Sequence, residues 1–377
     1  MKTEIGCYYF PNYHTGDSRN AITHGKNWSE WEPVRNAIPR FPGHRQPRIP
    51  LWGETDEKDP QAMAQKIDAA AAAGIGVFIF DWYYYNDGPF LESALEKGFL
   101  NAPNRSKLKF CNMWANHDWY DIHPAPPVER NLLYPGKVTR ETFEKIAEIH
   151  IQRYFSTPEY FTIDNAPYFS IYELTQLAAS FGSMAETRRA LADFKTAAKA
   201  AGFPDIHLNA IIWGEPILPG ESTPQDAAEF AVDLGFDSVA SYVWAHHFYK
   251  NQAQNPYENM RNAYFNFWDK TVKNCPVEYF PNVTVGWDTA ARTMPDQPCS
   301  CTGAYPYGPV IVGNTPEEFA KSLQMVKEKY AQIAPKHPFI SINGWNEWTE
   351  GNYLEPDTEY KSAYLDAIAR EFPENVH

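Results

Sequence analysis

The sequence predicts a closed barrel of eight parallel strands and eight helices, an α/β fold of the (β/α)8 TIM-barrel type with long βα loops at its C-terminal face. Short apolar runs rich in β-branched and aromatic residues alternate eight times with helical patterns, the order that repeated parallel βα units require. No linker or charge block interrupts the 377 residues, so one catalytic domain over 1–377 is expected, a length a large α/β barrel accommodates. The connections are also lopsided. Those after the apolar runs are long and aromatic, and those before them are short.

The strand runs occupy residues 4–9, 75–80, 108–113, 168–172, 207–212, 238–243, 283–285 and 339–342. The helical patterns occupy 61–73, 90–97, 141–154, 184–200, 225–234, 257–272, 317–333 and 359–370. Several helix starts carry their own signals. Thr315-Pro316-Glu317-Glu318 places a cap, a first-turn proline and a box glutamate in order. Asp59-Pro60 and Thr223-Pro224 repeat the cap and proline, and Ser183 with Glu186 forms another capping box. Gly74 and Gly202 stand just past helix ends, where a left-handed residue is wanted. About fifty residues follow the first strand, about twenty-five the third and about thirty the seventh. In a parallel barrel these loops gather at the C-terminal face, where active sites are built.

Composition narrows the function classes. With 33 Lys and Arg against 47 Asp and Glu the net charge is −14, which argues against a nucleic-acid partner because phosphate binding needs clustered cations. No run of eighteen apolar residues occurs, so no membrane span is expected. Met1-Lys2-Thr3 leads directly into an apolar strand without a signal-peptide pattern. The compartment is therefore periplasmic or extracellular if a leader has been removed, and cytoplasmic otherwise. The oligomeric state is open. Cys7 and Cys111 lie in apolar runs and read as core residues, while a bridge from Cys275 to Cys299 or Cys301 in an oxidising compartment is left open. Aromatics make up 15% of the chain, more rings than a core needs, and they suit stacking on flat ligand faces such as those of sugars.

The chemistry concentrates at strand ends. Asn346-Glu347-Trp348-Thr349-Glu350-Gly351 follows the eighth run, with two carboxylates three residues apart at the barrel mouth. Such a pair in unlike surroundings can divide into an acid and a base. Asp81-Trp82-Tyr83-Tyr84-Tyr85, Trp114-Ala115-Asn116-His117-Asp118-Trp119, Trp213-Gly214-Glu215, Trp244-Ala245-His246-His247 and Trp287-Asp288 end the second, third, fifth, sixth and seventh runs. Five tryptophans with polar neighbours exceed what packing explains, since barrel interiors normally use branched aliphatics. The expected substrate contacts are Tyr8, Asp81, Trp82, Trp114, Asn116, His117, Trp244, His246, Trp287, Asn346 and Trp348. His246-His247 with His117, Asp118 or Asp288 lacks a ligand-spacing motif, so no metal is expected. Phosphate-cradling glycine loops and a G-x-S-x-G elbow are absent, and no cofactor is expected. Gly43-His44-Arg45-Gln46-Pro47-Arg48 is a basic spot that either holds an anion or ties the first loop down through salt bridges.

Asn346-Glu347-Trp348-Thr349-Glu350-Gly351 together with Leu354-Glu355-Pro356 resembles the N-E-W-x-E-G and L-E-P signature of the WbsX-like proteins, relatives of glycoside hydrolase family 99, the endo-α-mannosidases and endo-α-mannanases. Glu30-Trp31 with Val34, the segment Phe41-Pro42-Gly43-His44-Arg45-Gln46-Pro47, and Trp114-Ala115-Asn116 match the same pattern. The resemblance implies a retaining glycosidase-like site. In it Glu347 assists the substrate's own 2-hydroxyl in attacking the anomeric carbon, and Glu350 protonates the leaving oxygen and later activates water. A 1,2-anhydro sugar would be the intermediate. One position departs: WbsX-like proteins commonly follow W-A-N with a glutamate, where this chain has His117-Asp118.

The function expected is thus glycoside hydrolysis in a polysaccharide or glycan, with a carbohydrate as the partner. A glycosyltransferase of surface-polysaccharide assembly is the alternative implied by the resemblance, although no D-x-D motif occurs. A carbohydrate-binding barrel without turnover is the third reading.

Overall fold

The structure, a computed structural model, describes residues 2–126, 130–248, 252–298 and 303–376. Eight parallel strands form its centre in chain order: β1 (Glu4–Tyr9), β2 (Val77–Tyr85), β3 (Lys109–Trp114), β4 (Ala166–Ile171), β5 (His207–Ile211), β6 (Ser238–Ala240), β7 (in two pieces, Glu278–Phe280 and Asn282–Thr284) and β8 (Phe339–Asn343). β1 pairs with β2 on one side (Gly6 opposite Val77) and with β8 on the other (Glu4 opposite Phe339).

Closure happens at Pro281. The residues before it pair with β6, and those after it pair with β8. A proline has no N–H to give to a ladder, so the strand changes partner there, and the Pro281 carbonyl still accepts from the Ser341 N–H at 2.9 Å. The barrel is therefore closed, and the seventh strand begins earlier than its apolar run suggested.

The capping signals largely hold. Asp59 accepts from Gln61 N–H at 2.9 Å, Ser183 from Glu186 N–H at 3.2 Å, and Thr315 from Glu318 N–H at 3.4 Å. Gly74 and Gly202 adopt φ of +87° and +98°. Thr223 departs from its expected role: its hydroxyl donates to the Trp213 carbonyl, and Asp226 caps the helix Ala227–Leu234 instead. The last helix starts later than expected, at Ala363–Glu371, because Asp357 turns the chain first by accepting from Glu359 N–H at 2.9 Å. An additional helix, Leu174–Phe181, follows β4 and ends at Gly182 with φ +77°.

The helix expected at 90–97 does not form. Tyr83–Tyr85 of β2 pairs antiparallel with Gly88–Phe90, and a single π-helical turn, Ala94–Gly98, follows. The cause is a close approach. A Cβ on Gly98 would lie 2.1 Å from the Glu57 carbonyl oxygen, so this turn is pressed against the first loop. The pairing considered for Cys275 with Cys299 or Cys301 falls on residues outside the described ones, whereas Cys7 and Cys111 are buried core thiols. Among the described residues no helix is long and apolar enough to cross a membrane.

Gly98→Ala is expected to lower stability by about 1–3 kcal/mol, the usual cost of overpacking where backbone rather than a flexible side chain must move. A urea-unfolding midpoint measures it; an unchanged midpoint would mean the contact relaxes freely.

Candidate active site

The pleat decides which strand-end residues face the barrel mouth, because successive side chains point to opposite faces. On β2, Asp81 and Tyr83 line a cavity at the C-terminal end, so Trp82 between them must point outward. On β3 and its continuation, Met113 and Ala115 line the same cavity and Trp114 points outward. The cavity contains about 650 Å³ of free space and is walled mainly by Trp119, Tyr172, Tyr242, Trp287 and Arg292 around Glu347 and Glu350.

After β8 the chain makes a tight hairpin. Asn346–Glu347 pairs antiparallel with Asn352–Tyr353, and Trp348–Glu350 forms one 3₁₀ turn between them. In that geometry residues three apart eclipse, which brings Glu347 and Glu350 to the same side. Gly351 closes the turn at φ +60°, and a Cβ there would lie 2.8 Å from both Arg48 Nη2 and Asp288 Cβ. The hairpin is braced from below. Asn346 accepts from the Phe10 N–H at 2.9 Å and donates to its carbonyl at 2.7 Å. Glu355, the glutamate of Leu354-Glu355-Pro356, accepts from the indoles of Trp345 at 2.9 Å and Trp348 at 2.7 Å and pairs with buried Lys66 at 2.7 Å.

Arg292 organises the carboxyl groups. Its Nη1 donates to Glu350 Oε1 at 2.7 Å, its Nη2 to Glu347 Oε1 at 3.3 Å, and its Nε to Glu30 Oε1 at 3.1 Å. The Tyr305 hydroxyl also donates to Glu350 Oε1. Glu30 in turn accepts from Asn12 at 2.8 Å and from the Thr349 hydroxyl at 2.7 Å. Arg292 ends a 3₁₀ turn, Thr289–Arg292, whose cap is Asp288. The basic segment of the first loop is spent on that cap: His44, Gln46 and Arg48 all reach Asp288 Oδ2, at 2.9, 2.8 and 2.9 Å. These contacts tie the loop down, the second of the two roles the sequence offered. Although burial opposes it, the His44 hydrogen bond and the Arg48 charge keep the Asp288 carboxyl below the usual carboxylate range.

The catalytic candidates behave differently. Burial, and then the charge of Glu350, push the Glu347 carboxyl well above its ordinary value. Burial also raises Glu350, against the pull of Arg292 and Tyr305. Both carboxyls are thus shifted toward the protonated form, and the charge of each acts on the other.

Six of the residues singled out from the sequence line the cavity: Asp81, His117, His246, Trp287, Glu347 and Glu350. The other seven are corrected to supporting positions. Trp82 packs on His150 and Tyr154, Trp114 on Phe143, and Trp244 stacks on Tyr257 and Tyr264 while donating to the Asn282 carbonyl at 2.8 Å. Trp348 stacks on Tyr353 at 3.8 Å, and Tyr8 lies beneath the cavity, edge-on to Tyr242 at 4.7 Å. Asn116 joins two loops through the Glu173 backbone, accepting at 2.7 Å and donating at 2.8 Å, and Asn346 holds Phe10. Sequence reasoning missed Arg292, Tyr305, Tyr242 and the part played by Glu30. Nothing local marks them: Arg292 and Glu30 lie 262 residues apart. Among the described residues no group of three or more His, Cys, Asp or Glu side chains is placed to hold a metal ion.

A sequence profile of the family described as Glycosyltransferase WbsX matches residues 5–368. The chain belongs to that family. The uncharacterized protein WxcX of Xanthomonas campestris pv. campestris (strain B100) is 26% identical over 391 residues, covering 97% of this chain and 49% of WxcX. The chain thus spans about half the length of that relative. The GH99 endo-alpha-mannosidase from Bacteroides thetaiotaomicron superposes with a TM-score of 0.57 at 13% identity, covering 99% of this chain and 97% of the other. A protein described as glycoside hydrolase-like gives a TM-score of 0.63 at 14% identity, covering 98% and 94%. At these identities the shared property is the barrel fold.

The raised carboxyl of Glu347 has a consequence for stability. A folded-state value above the unfolded one means a contribution that is complete below about pH 4.5 and is lost as the pH rises through the folded value. Glu347→Gln is therefore expected to melt a few degrees above the wild type at pH 8, with the gap closing toward pH 4. Thermal unfolding across that range measures it, and a variant that melts lower at pH 8 would show that Glu347 stabilises the fold as an ion partner of Arg292.

Proposed function

We propose that the protein is a retaining glycosidase that cleaves glycosidic bonds in a polysaccharide or glycan. The observation that carries this reading is the Glu347–Glu350 pair gathered on Arg292 in the wall of an aromatic cavity. The fold shared with glycoside hydrolases and the family match over residues 5–368 support it, and the extent of that match supports one catalytic unit.

In the proposed reaction Glu350 is the acid and Glu347 reacts ionised, so binding of substrate shifts to Glu350 the proton that burial favours on Glu347 in the free site. Its Oε1 takes the Arg292 and Tyr305 hydrogen bonds, leaving Oε2 to carry the proton. Glu347 accepts the proton of the sugar's 2-hydroxyl while that oxygen attacks the anomeric carbon. The glycosidic bond breaks, and the Glu350 proton goes to the leaving oxygen. Water then opens the 1,2-anhydro sugar, giving its proton to Glu350 and its hydroxyl to the anomeric carbon, as Glu347 returns the first proton. This route needs a 2-hydroxyl trans to the leaving group, as in α-mannosides, α-rhamnosides, β-glucosides and β-galactosides. Direct attack by a carboxylate goes with two carboxyls about 5–5.5 Å apart.

Glycosyl transfer is the second reading, favoured by the family's description. Incubation with defined oligosaccharides, followed by product mapping, separates the two. Hydrolysis products support the first reading, whereas calorimetric binding of a nucleotide sugar without hydrolysis supports the second. On a cleavable glycoside, Glu350→Gln is expected to lower kcat by about 10²–10⁴-fold, the usual worth of a positioned acid. Wild-type turnover in that variant would remove Glu350 from the acid role.

A further inference from the structure

The cavity floor holds a third carboxyl that the proposed reaction does not use. Asp81 on β2 is 2% exposed and lines the cavity together with Glu347 and Glu350. Its Oδ2 accepts from the Tyr242 hydroxyl at 2.9 Å, and its Oδ1 has no partner among the described residues. A buried acceptor left unmatched is destabilising, so Asp81 is a poor device for holding the barrel together. Burial pushes its carboxyl up against the pull of the Tyr242 hydrogen bond, and the charge of Glu350 adds to the rise, so a ligand that brings a donor to Oδ1 offsets a cost the fold leaves standing.

The charges around it limit what that ligand is. Arg292 is the sole arginine or lysine among the described residues lining the cavity, and its three nitrogens are committed to Glu30, Glu347 and Glu350. Asp118, also on the wall, is engaged by the Gly136 N–H at 2.8 Å and by Gln176 at 3.0 Å. Burial lowers His117 and His123 and so keeps both imidazoles from supplying positive charge near neutrality. An anionic ligand would meet a wall of carboxyl groups with no unspent arginine or lysine among the described lining residues. A neutral or cationic ligand would not.

Resting on the glycosidase reading, we propose that Asp81 Oδ1 is a sugar-recognition point that accepts a hydrogen from a hydroxyl or an ammonium group, and that the cavity takes neutral or basic sugars and excludes uronates and nucleoside diphosphates. The two donor sources share one chemistry, a hydrogen-bond donor without negative charge.

The test measures calorimetric binding in the Glu350→Gln background, so that turnover is not required. Four probes are used: a neutral oligosaccharide cleaved by the wild type or, failing turnover, a mannooligosaccharide; a polyhydroxylated piperidine; an oligogalacturonate; and GDP-mannose. The neutral or the basic probe is expected to bind at least tenfold more tightly than the two anionic ones, and to lose at least tenfold on adding Asp81→Asn or Asp81→Ser. A loss confined to the neutral probe identifies a hydroxyl donor, and one confined to the piperidine identifies an ammonium. Neither substitution at Asp81 should lower the melting temperature, which a merely structural aspartate would. The proposal is overturned by equal or tighter binding of an anionic probe, by affinities unchanged in both variants, or by no binding of the neutral and basic probes. Absence of hydrolysis in the wild type, with the Asp81 dependence intact, would instead count against the glycosidase reading alone.

Discussion

Three buried carboxyl groups share one guanidinium, and the arrangement of the barrel mouth follows from that shortage of positive charge. Taking a carboxylate out of water costs several kcal/mol unless it is paired and hydrogen-bonded. Arg292 meets Glu30, Glu347 and Glu350 between 2.7 and 3.3 Å, but a single charge cannot neutralise three. The upward shift of Glu347 and Glu350 lets the pair keep a proton to higher pH, which removes part of the deficit and is what the proposed general acid needs. The same electrostatic condition that strains the folded state would prepare the proposed chemistry.

The surrounding elements hold that condition in place. The first loop reaches across the barrel mouth twice: once through Glu30, which fixes Arg292 and Thr349, and once through His44, Gln46 and Arg48, which fix the Asp288 cap beneath the Arg292 turn. Glu355 clamps two indoles at the hairpin that carries Glu347 and Glu350. Residues far apart in the chain thus converge on a few atoms near the ends of β7 and β8.

The sequence exposed what is local and hid what is not. Barrel strands were legible because apolar runs stand between capped helices, and Asp59, Ser183 and Thr315 act in the structure as they read in the chain. The helix expected at 90–97 failed because its periodicity carries no trace of the Glu57 carbonyl that crowds Gly98. Glu347 and Glu350 were visible because their convergence needs only one 3₁₀ turn. Trp82 and Trp114 were misplaced for a reason present in the sequence itself. Asp81 and Trp82 are neighbours on one strand, so the pleat allows only one of them into the cavity. The Arg292–Glu30 contact spans 262 residues and leaves no mark in either segment.

The retained proton is the point on which the account turns, and labelled-carboxylate NMR reads it most directly. With ¹³C at the glutamate carboxyl carbons, and with Glu347→Gln and Glu350→Gln used to assign the two signals, chemical shifts followed from pH 3 to pH 9 report each ionisation. The account predicts two linked steps, with one carboxyl of the pair still protonated well above the pH at which exposed glutamates ionise. Two independent titrations, both complete near the ordinary glutamate value, would contradict it.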